Sequence, residues 1–356
     1  EKAPWPRYKT CGGGLVWRAR HDLDIDLREV SERDIHRAEL RLQDTDLGFA
    51  VERRQPLITM TMRSALDERL TRAALEAGAE MRDRAPVTRL TPRREHVEVE
   101  AAGREHRARF IIAADGAAGG TAELAGWPGQ RLAIPALESE LTVDRSTLER
   151  FTNLARFDFP VDLAGYAWVF PKHRSLSVGC LSRNRRRPAL KRHLDDYLGR
   201  LAIRPLERQD HGFVIPIAPR SRDLARDRVL LTGDAAGLAD PVTCEGISNA
   251  IVSGRLAAES MAAADFDPHI VATRYMRDLE RTLLRELRFA RRLAWLLFDA
   301  PRLRRFFFRH LGQPLSEAVA DVIAGERTYR DLLTSLSSYR TALRRWRWKT
   351  GAHPNG

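Results

Sequence analysis

Val229-Leu-Leu-Thr-Gly-Asp-Ala-Ala-Gly-Leu-Ala-Asp-Pro-Val-Thr-Cys-Glu-Gly-Ile247 begins as a short apolar run and turns sharply at Gly233-Asp234. It then crosses a loop bearing Gly and Pro and enters a segment of helical spacing over 248–264. That order predicts a strand, a polar loop open to a ligand, and a helix start. Such a loop suits a large cofactor with hydroxyls at one end and a ring at the other. Asp234 offers a carboxylate to ribose-like or ribityl hydroxyls, and the small residues Ala235, Ala236 and Gly237 let backbone approach closely. A helix opening near Gly246 aims its free N–H groups and positive end at whatever the loop holds, and an anionic reduced flavin ring is one ligand that gains from this. The alternative is a plain strand–loop–helix packing unit with Asp234 as a cap.

Three further stretches belong with the first: Pro6-Arg-Tyr-Lys-Thr-Cys-Gly-Gly-Gly-Leu15, Ala114-Asp-Gly-Ala117, and Gly165-Tyr-Ala-Trp-Val-Phe-Pro-Lys172 followed by Val178-Gly179. Together, in this order, the four blocks resemble the geranylgeranyl reductase family of FAD-dependent oxidoreductases, which share the aromatic-hydroxylase fold. The resemblance implies an α/β chain: an incomplete Rossmann-like FAD-binding domain, an inserted antiparallel β-sheet substrate domain and a C-terminal helical region. On that reading the FAD-binding domain takes 1–125 and returns over 223–268, the substrate domain takes 126–222, and an Arg-rich helical region takes 269–356.

The resemblance also assigns residues. It implies FAD as cofactor, NAD(P)H or another reductant as electron source, and a prenyl lipid or prenyl diphosphate as substrate. Glu1 matches the acidic residue that holds the adenosine ribose, so the Gly-x-Gly-x-x-Gly turn and about thirty residues are expected upstream of this chain. Arg7 and Lys9 suit a pyrophosphate, while Gly12 and Gly13 let a loop pass flat against a ring. Arg63 matches an arginine preceding the next helix, and Asp115-Gly116 ends a strand where a dinucleotide approaches. Gly233, Asp234, Gly237, Pro241, Gly246 and Ile247 complete the cofactor side. Cys11 is placed beside the flavin. Cys244 stands where the family usually has glycine, and both cysteines are expected across one flavin edge. With Tyr166 and Trp168 they are the candidate catalytic residues, and Tyr166 or a cysteine is the guess for the proton donor.

Composition narrows the rest. With 43% hydrophobic content in 356 residues the chain can bury a substantial core. The formal charge of +12 is almost entirely arginine, since the lysines are Lys2, Lys9, Lys172, Lys191 and Lys349. That balance favours anionic membranes, phosphorylated substrates or nucleic acid, or is a habit of composition; without a recognised module, nucleic acid is not expected. Cys11, Cys180 and Cys244 lack the close pairing of a zinc module or disulfide scaffold, so no metal is expected and the reducing cytoplasm is the default. The region 269–308 interleaves arginine with Leu, Phe and Trp295. It reads either as a helical lid, broken at Pro301, or as a peripheral contact with an anionic membrane on the inner face of the cell, with Arg291, Arg292, Arg302, Arg304, Arg305 and Arg309 at the headgroups.

Periodicity supplies the remaining elements. A helix is predicted over 61–78, and strands over 80–87, 96–100, 109–114, 132–143, 165–172, 175–181 and 213–217. Tyr166, Trp168 and Phe170 fall two apart and so share a strand face. Rival functions on the same fold are a flavin monooxygenase or halogenase of an aromatic substrate, and a non-catalytic remnant.

Overall fold

The Gly233-Asp234 turn follows the strand Val229–Leu231, which runs parallel to Ile111–Ala113 and antiparallel to Ala225–Arg226. Both parallel strands are short and apolar, and both deliver their C-terminal ends to one place: residues 114–116 from one, 232–234 from the other. The computed structural model describes residues 1–43, 45–129, 132–160, 163–184 and 189–334.

The largest element is a sheet of seven strands in the order Glu207–Pro216, Ala133–Thr142, Ser175–Ser182, Gly165–Pro171, Leu154–Phe159, Arg37–Leu42 and Gly48–Glu52. All neighbours are antiparallel except Leu154–Phe159 and Arg37–Leu42, which run parallel, so the sheet is mixed. It also draws two strands from 37–52 and is therefore wider than the segment 126–222. One face of its centre packs Leu141, Val169, Leu176 and Val178 against the helix Leu190–Arg200, through Leu194, Tyr197 and Leu198. The other face turns to the interior of the molecule. Period-two alternation supplies both faces from the same strands.

The predicted strand over 80–87 is not formed. Arg84 adopts a left-handed backbone (φ 50°), and the strand starts at Val87 and runs to Pro92, paired with Val97–Ala101. The strand predicted at 213–217 begins earlier, at Glu207. The helix predicted over 61–78 is Arg63–Glu76, and the helix after Gly246 is Ile247–Ala263.

The C-terminal region is helical: Pro268–Leu279, a wider π-type turn at Glu280–Leu284, Arg285–Ala294, a second wide turn at Trp295–Asp299, and Pro301–Ala324. Pro301 sits at the first position of that last helix, where its missing N–H costs nothing. These helices pack back onto the sheet, with Phe298 and Phe308 both against Phe159 at ring-centroid distances of 6.1 and 5.3 Å. The apolar cluster at 293–298 is thereby divided: Leu293, Leu297 and Phe298 are buried while Trp295 is exposed. Arg304, expected among the headgroup-facing arginines, is buried instead and donates to Pro160 O (2.9 Å) and Leu297 O (3.3 Å). The basic tail from Arg340 lies outside the described residues. Among the described residues no helix is long and apolar enough to cross a membrane.

Candidate active site

A cavity of about 550 Å³ lies between the interior face of the seven-stranded sheet, the residue 9–14 turn, the Gly246 loop and the helix Pro301–Ala324. Its wall brings together Lys9, Cys11, Gly12, Gly13 and Arg63 with Gly116, Gly233, Asp234, Cys244, Gly246 and Ile247, and with Tyr166, Trp168 and Phe170. The sequence places these residues on five separate stretches, and the fold closes them around one space.

The 9–14 turn is shaped by glycine. Gly13 is left-handed (φ 78°), and a Cβ there would stand 2.1 Å from Thr61 O, whose own N–H donates to Gly13 O at 2.8 Å. Gly12 lies flat on the aromatic face, where a Cβ would meet Phe170 Cδ2 at 3.0 Å and Trp168 Nε1 at 3.3 Å. The side-chain row is as read from the sequence. Tyr166 and Trp168 have ring centroids 6.1 Å apart, as do Trp168 and Phe170, and Phe157 packs edge-on against Tyr166 and Phe170. Trp168 spreads over Gly179 of the neighbouring strand, where a Cβ would lie 2.2 Å from indole Cζ2.

On the opposite wall Asp240 organises the loop. Its Oδ1 accepts from Val242 N (2.8 Å) and Thr243 N (3.2 Å), and its Oδ2 accepts from the buried Tyr329 hydroxyl (2.8 Å). Tyr166 donates its hydroxyl to Thr243 O, which fastens the aromatic strand to the same loop. Burial, then the nearby Cys244 and Asp240, pushes the Tyr166 phenol well above its ordinary range, so it stays a neutral donor. Cys244 adopts a left-handed backbone (φ 57°), the conformation glycine takes freely. Burial pushes its thiol up to about 12. Cys11, Cys180 and Cys244 are all free, so Cys11 and Cys244 share the cavity without a bond between them.

The helix start at Gly246 is not wholly free for a ligand. Glu245 takes the Ser248 N–H (2.7 Å) and lies 3.5 Å from Arg18, so one N-terminal donor and part of the positive end are already satisfied from within the chain. Gly246 remains close to Asp234, where a Cβ would stand 3.0 Å from Oδ1.

The polar end of the cavity holds Lys9, Arg63 and Asp234. Burial raises the Asp234 carboxyl, opposed by Lys9 and Arg63; burial lowers the Lys9 ammonium, with Arg63 adding to it. Burial also works against the Arg63 charge, but Cys11 and Asp67 outweigh it, and Arg63 pairs with Asp67 at 2.8 Å. Among the described residues Asp234 forms no ion pair with either cation. A partly buried carboxylate facing two cations across a glycine-lined space has the donor and acceptor chemistry for hydroxyls and phosphate oxygens, so these residues fit the polar half of a flavin nucleotide.

Five predicted cofactor residues are not in the cavity wall. Glu1 binds Arg7 Nε (2.8 Å) and Ala3 N (3.0 Å), and Arg7 reaches Asp67 (3.3 Å), a wall residue. Asp115 turns its carboxylate to Thr121 N (2.8 Å). Gly237 is the left-handed end of the short helix Gly233–Ala236, and Pro241 is buried in the loop. Sequence reading also missed wall residues. Glu138 faces the cavity from the strand Ala133–Thr142, and Leu297, Phe298 and Phe308 close it from the C-terminal helices. The signal for Glu138 was an alternating strand that carries carboxylates on one face.

No family model matches the chain. An uncharacterized protein of Methanosarcina barkeri is 28% identical over 80% of this chain and 73% of its own length, and a menaquinone reductase of Mycobacterium tuberculosis is 29% identical over 83% and 77%. A digeranylgeranylglycerophospholipid reductase of Methanocaldococcus jannaschii is 29% identical over 62% of this chain and 57% of its own. Among solved structures, a geranylgeranyl bacteriochlorophyll reductase-like protein of Thermoplasma acidophilum superposes with a TM-score of 0.71 at 22% identity, covering 96% of this chain and 88% of that one. A flavin-dependent brominase also reaches 0.71 at 19% identity, covering 98% and 92%, which shows a shared fold and no more. In sequence and in fold the chain is similar to the geranylgeranyl-reductase type of oxidoreductase, the resemblance that its residue 233–247 stretch carries.

Proposed function

We propose that the protein is an FAD-dependent reductase of carbon–carbon double bonds in the prenyl chain of a lipid or diphosphate. The observation that carries this reading is one cavity with two chemistries. Lys9, Arg63 and Asp234 make its polar end, and Tyr166, Trp168, Phe170, Leu297, Phe298 and Phe308 make a broad apolar remainder. When bound, FAD would supply hydride to the double bond, with NAD(P)H or another reductant as the electron source. Asp234 would hold its hydroxyls, Lys9 and Arg63 its phosphates, and residues 11–13 and 246–247 would flank its ring. Glu1, Arg7, Asp115, Gly116, Gly233, Gly237 and Pro241 belong to the supporting loops. The residues of the apolar wall do the rest: they exclude water and hold an isoprenoid chain flat.

The protein is titrated with FAD and its absorbance followed, then reduced anaerobically and mixed with prenyl lipids and prenyl diphosphates. Reoxidation, with product heavier by two hydrogens per bond, is expected. Hydroxylated or halogenated aromatic product would replace this reading with a monooxygenase or halogenase, and a chain that stays colourless would leave a non-catalytic remnant.

We place the protein in the cytoplasm with its C-terminal region against an anionic membrane. Trp295, Leu303 and Phe306 are exposed on the outer side of the helices that close the cavity, among the exposed Arg291, Arg292, Arg302, Arg305 and Arg309. Co-sedimentation with anionic vesicles, lost on Trp295→Glu/Phe306→Glu, is the expected result; equal binding to neutral vesicles would refute it.

A further inference from the structure

Reduction of an isolated double bond consumes a proton as well as a hydride, and an apolar wall that excludes water cannot supply it. One polar interruption of that wall has the required connections. Glu138 is 2% exposed and lines the cavity in register with Gly179, which pairs in turn with Trp168; on its other side Glu138 pairs with His211. Ser177 donates its hydroxyl to Glu138 Oε1 (3.0 Å) and receives the Trp168 indole N–H (3.4 Å). Tyr8 donates to Glu138 Oε2 (3.2 Å), stacks on His211 at 4.2 Å, and is 42% exposed. A continuous set of hydrogen-bonding groups thus runs from solvent, through Tyr8 and Glu138, to the cavity.

We propose that Glu138 is the proton donor of this site, refilled from solvent through Tyr8. Resting on the reductase reading, the step balances as follows. At one alkene carbon a C–H bond would form with the hydride that bound FAD would supply, and the other carbon would take the Glu138 carboxyl proton. The π bond is lost, and the carboxylate is reprotonated by water by way of Tyr8. The groups that face Glu138 suit a carboxyl that gains and loses its proton near physiological pH. Burial and then Glu140 on the same strand raise it to about 7, opposed by Lys172 and the Ser177 hydrogen bond. Glu140 is itself held by Lys172 Nζ and Ser175. Tyr8, from the N-terminal segment, and His211, on the edge strand, also face it.

Two measurements decide the matter. The first needs no substrate: tryptophan emission of the full chain is followed from pH 5 to 9 in wild type, Glu138→Gln and Trp168→Phe. A step centred near pH 7, absent in both variants, is expected, because ionisation of Glu138 reaches the indole through Ser177. A wild type without the step, or Glu138→Gln retaining it, overturns the proposal. The second is reoxidation of the reduced flavoprotein by a geranylgeranyl lipid. Glu138→Gln should slow it on the order of 10²–10⁴-fold, and Glu138→Asp should recover part of the rate, while reduction by dithionite is unchanged. The wild-type rate should fall above pH 7, and the Gln variant should lose that dependence. A Gln variant within threefold of wild type overturns the proposal. If wild type shows the emission step but no prenyl substrate reoxidises it, the reductase reading falls and the proton donor stands for another substrate.

Discussion

Replacing Gly179 by alanine puts a methyl carbon 2.2 Å from Trp168 Cζ2, 2.5 Å from Cη2 and 2.6 Å from Leu137 O. Ordinary carbon–carbon contact begins at about 3.5 Å, so the ring must move by more than about 1 Å. The backbone cannot yield easily, since Gly179 sits on an inner strand bonded on both sides. Overpacking of this kind costs about 1–3 kcal/mol. Turning the indole away also forfeits roughly half of its buried area, about 100 Å² or ~2.5 kcal/mol. We expect a loss of about 3–5 kcal/mol in urea unfolding, with a shifted indole emission and weaker prenyl binding. Gly212→Ala, in the edge strand of the same sheet, is the matched control. Its Cβ meets nothing within 4 Å, and a gain of about 0.5 kcal/mol is expected. A Gly179→Ala loss below about 1 kcal/mol with unchanged emission would refute the packing of Trp168 over Gly179.

Three further outcomes follow from single residues. Cys244→Gly relieves a left-handed backbone (φ 57°) and should raise the unfolding free energy by roughly 0.5–1 kcal/mol, read as a higher urea midpoint at constant slope; a loss beyond about 1 kcal/mol would show that the thiol's packing dominates. Asp267 accepts from His269 N (3.0 Å) and Ile270 N (2.9 Å), so Asp267→Ala should cost about 1 kcal/mol by thermal unfolding, and no change would remove its role as a cap. Glu138 is neutral in the fold up to about pH 7 against an ordinary carboxyl near 4.5. Its folded pKa lies above the unfolded one, so the stability it contributes is complete below pH 4.5 and lost as pH rises through 7. The loss is on the order of 1–3 kcal/mol, and Glu138→Gln should flatten that part of the stability–pH curve.

The parts of the site legible in sequence were those with a local signal. The every-second-residue aromatic set, the glycine turn after Cys11 and the Gly233-Asp234 corner each carry their geometry in adjacent residues. The missed parts depend on which of several partners a residue meets in the fold. The segment 80–87 reads as a strand, yet the strand starts at Val87 because the hairpin register with Val97–Ala101 places Leu90, Val97 and Val99 in a small core. The arginines around Phe306 look alike in sequence, but one helical turn buries Arg304 and Phe308 while leaving Arg305 and Phe306 outside. Asp115 was read as a cofactor ligand from its Asp-Gly corner, and the same corner equally serves the N–H of Thr121. Residue type alone does not separate these uses.

Sheet geometry explains how an apolar cavity keeps an acid in its wall. Residues in register across strands lie on one face at spacings of about 4.8 Å, so Trp168, Gly179, Glu138 and His211 form a row about 14 Å long from the interior to the edge strand. Along each strand the period of two keeps that face separate from the one that packs on the helix Leu190–Arg200. Alternation therefore sends Leu137 and Leu141 to the helix and Glu138 and Glu140 to the other side. Without a side chain at Gly179, the indole lies directly over that position. An isoprenoid chain lying on Tyr166, Trp168 and Phe170 would then meet water nowhere along the wall, and Tyr8 and Glu138 are the groups by which a proton reaches it. A Tyr8→Phe variant, which removes the exposed hydroxyl that donates to Glu138 and leaves the wall intact, should slow turnover and leave substrate affinity unchanged. Equal turnover in that variant would mean that the proton enters elsewhere.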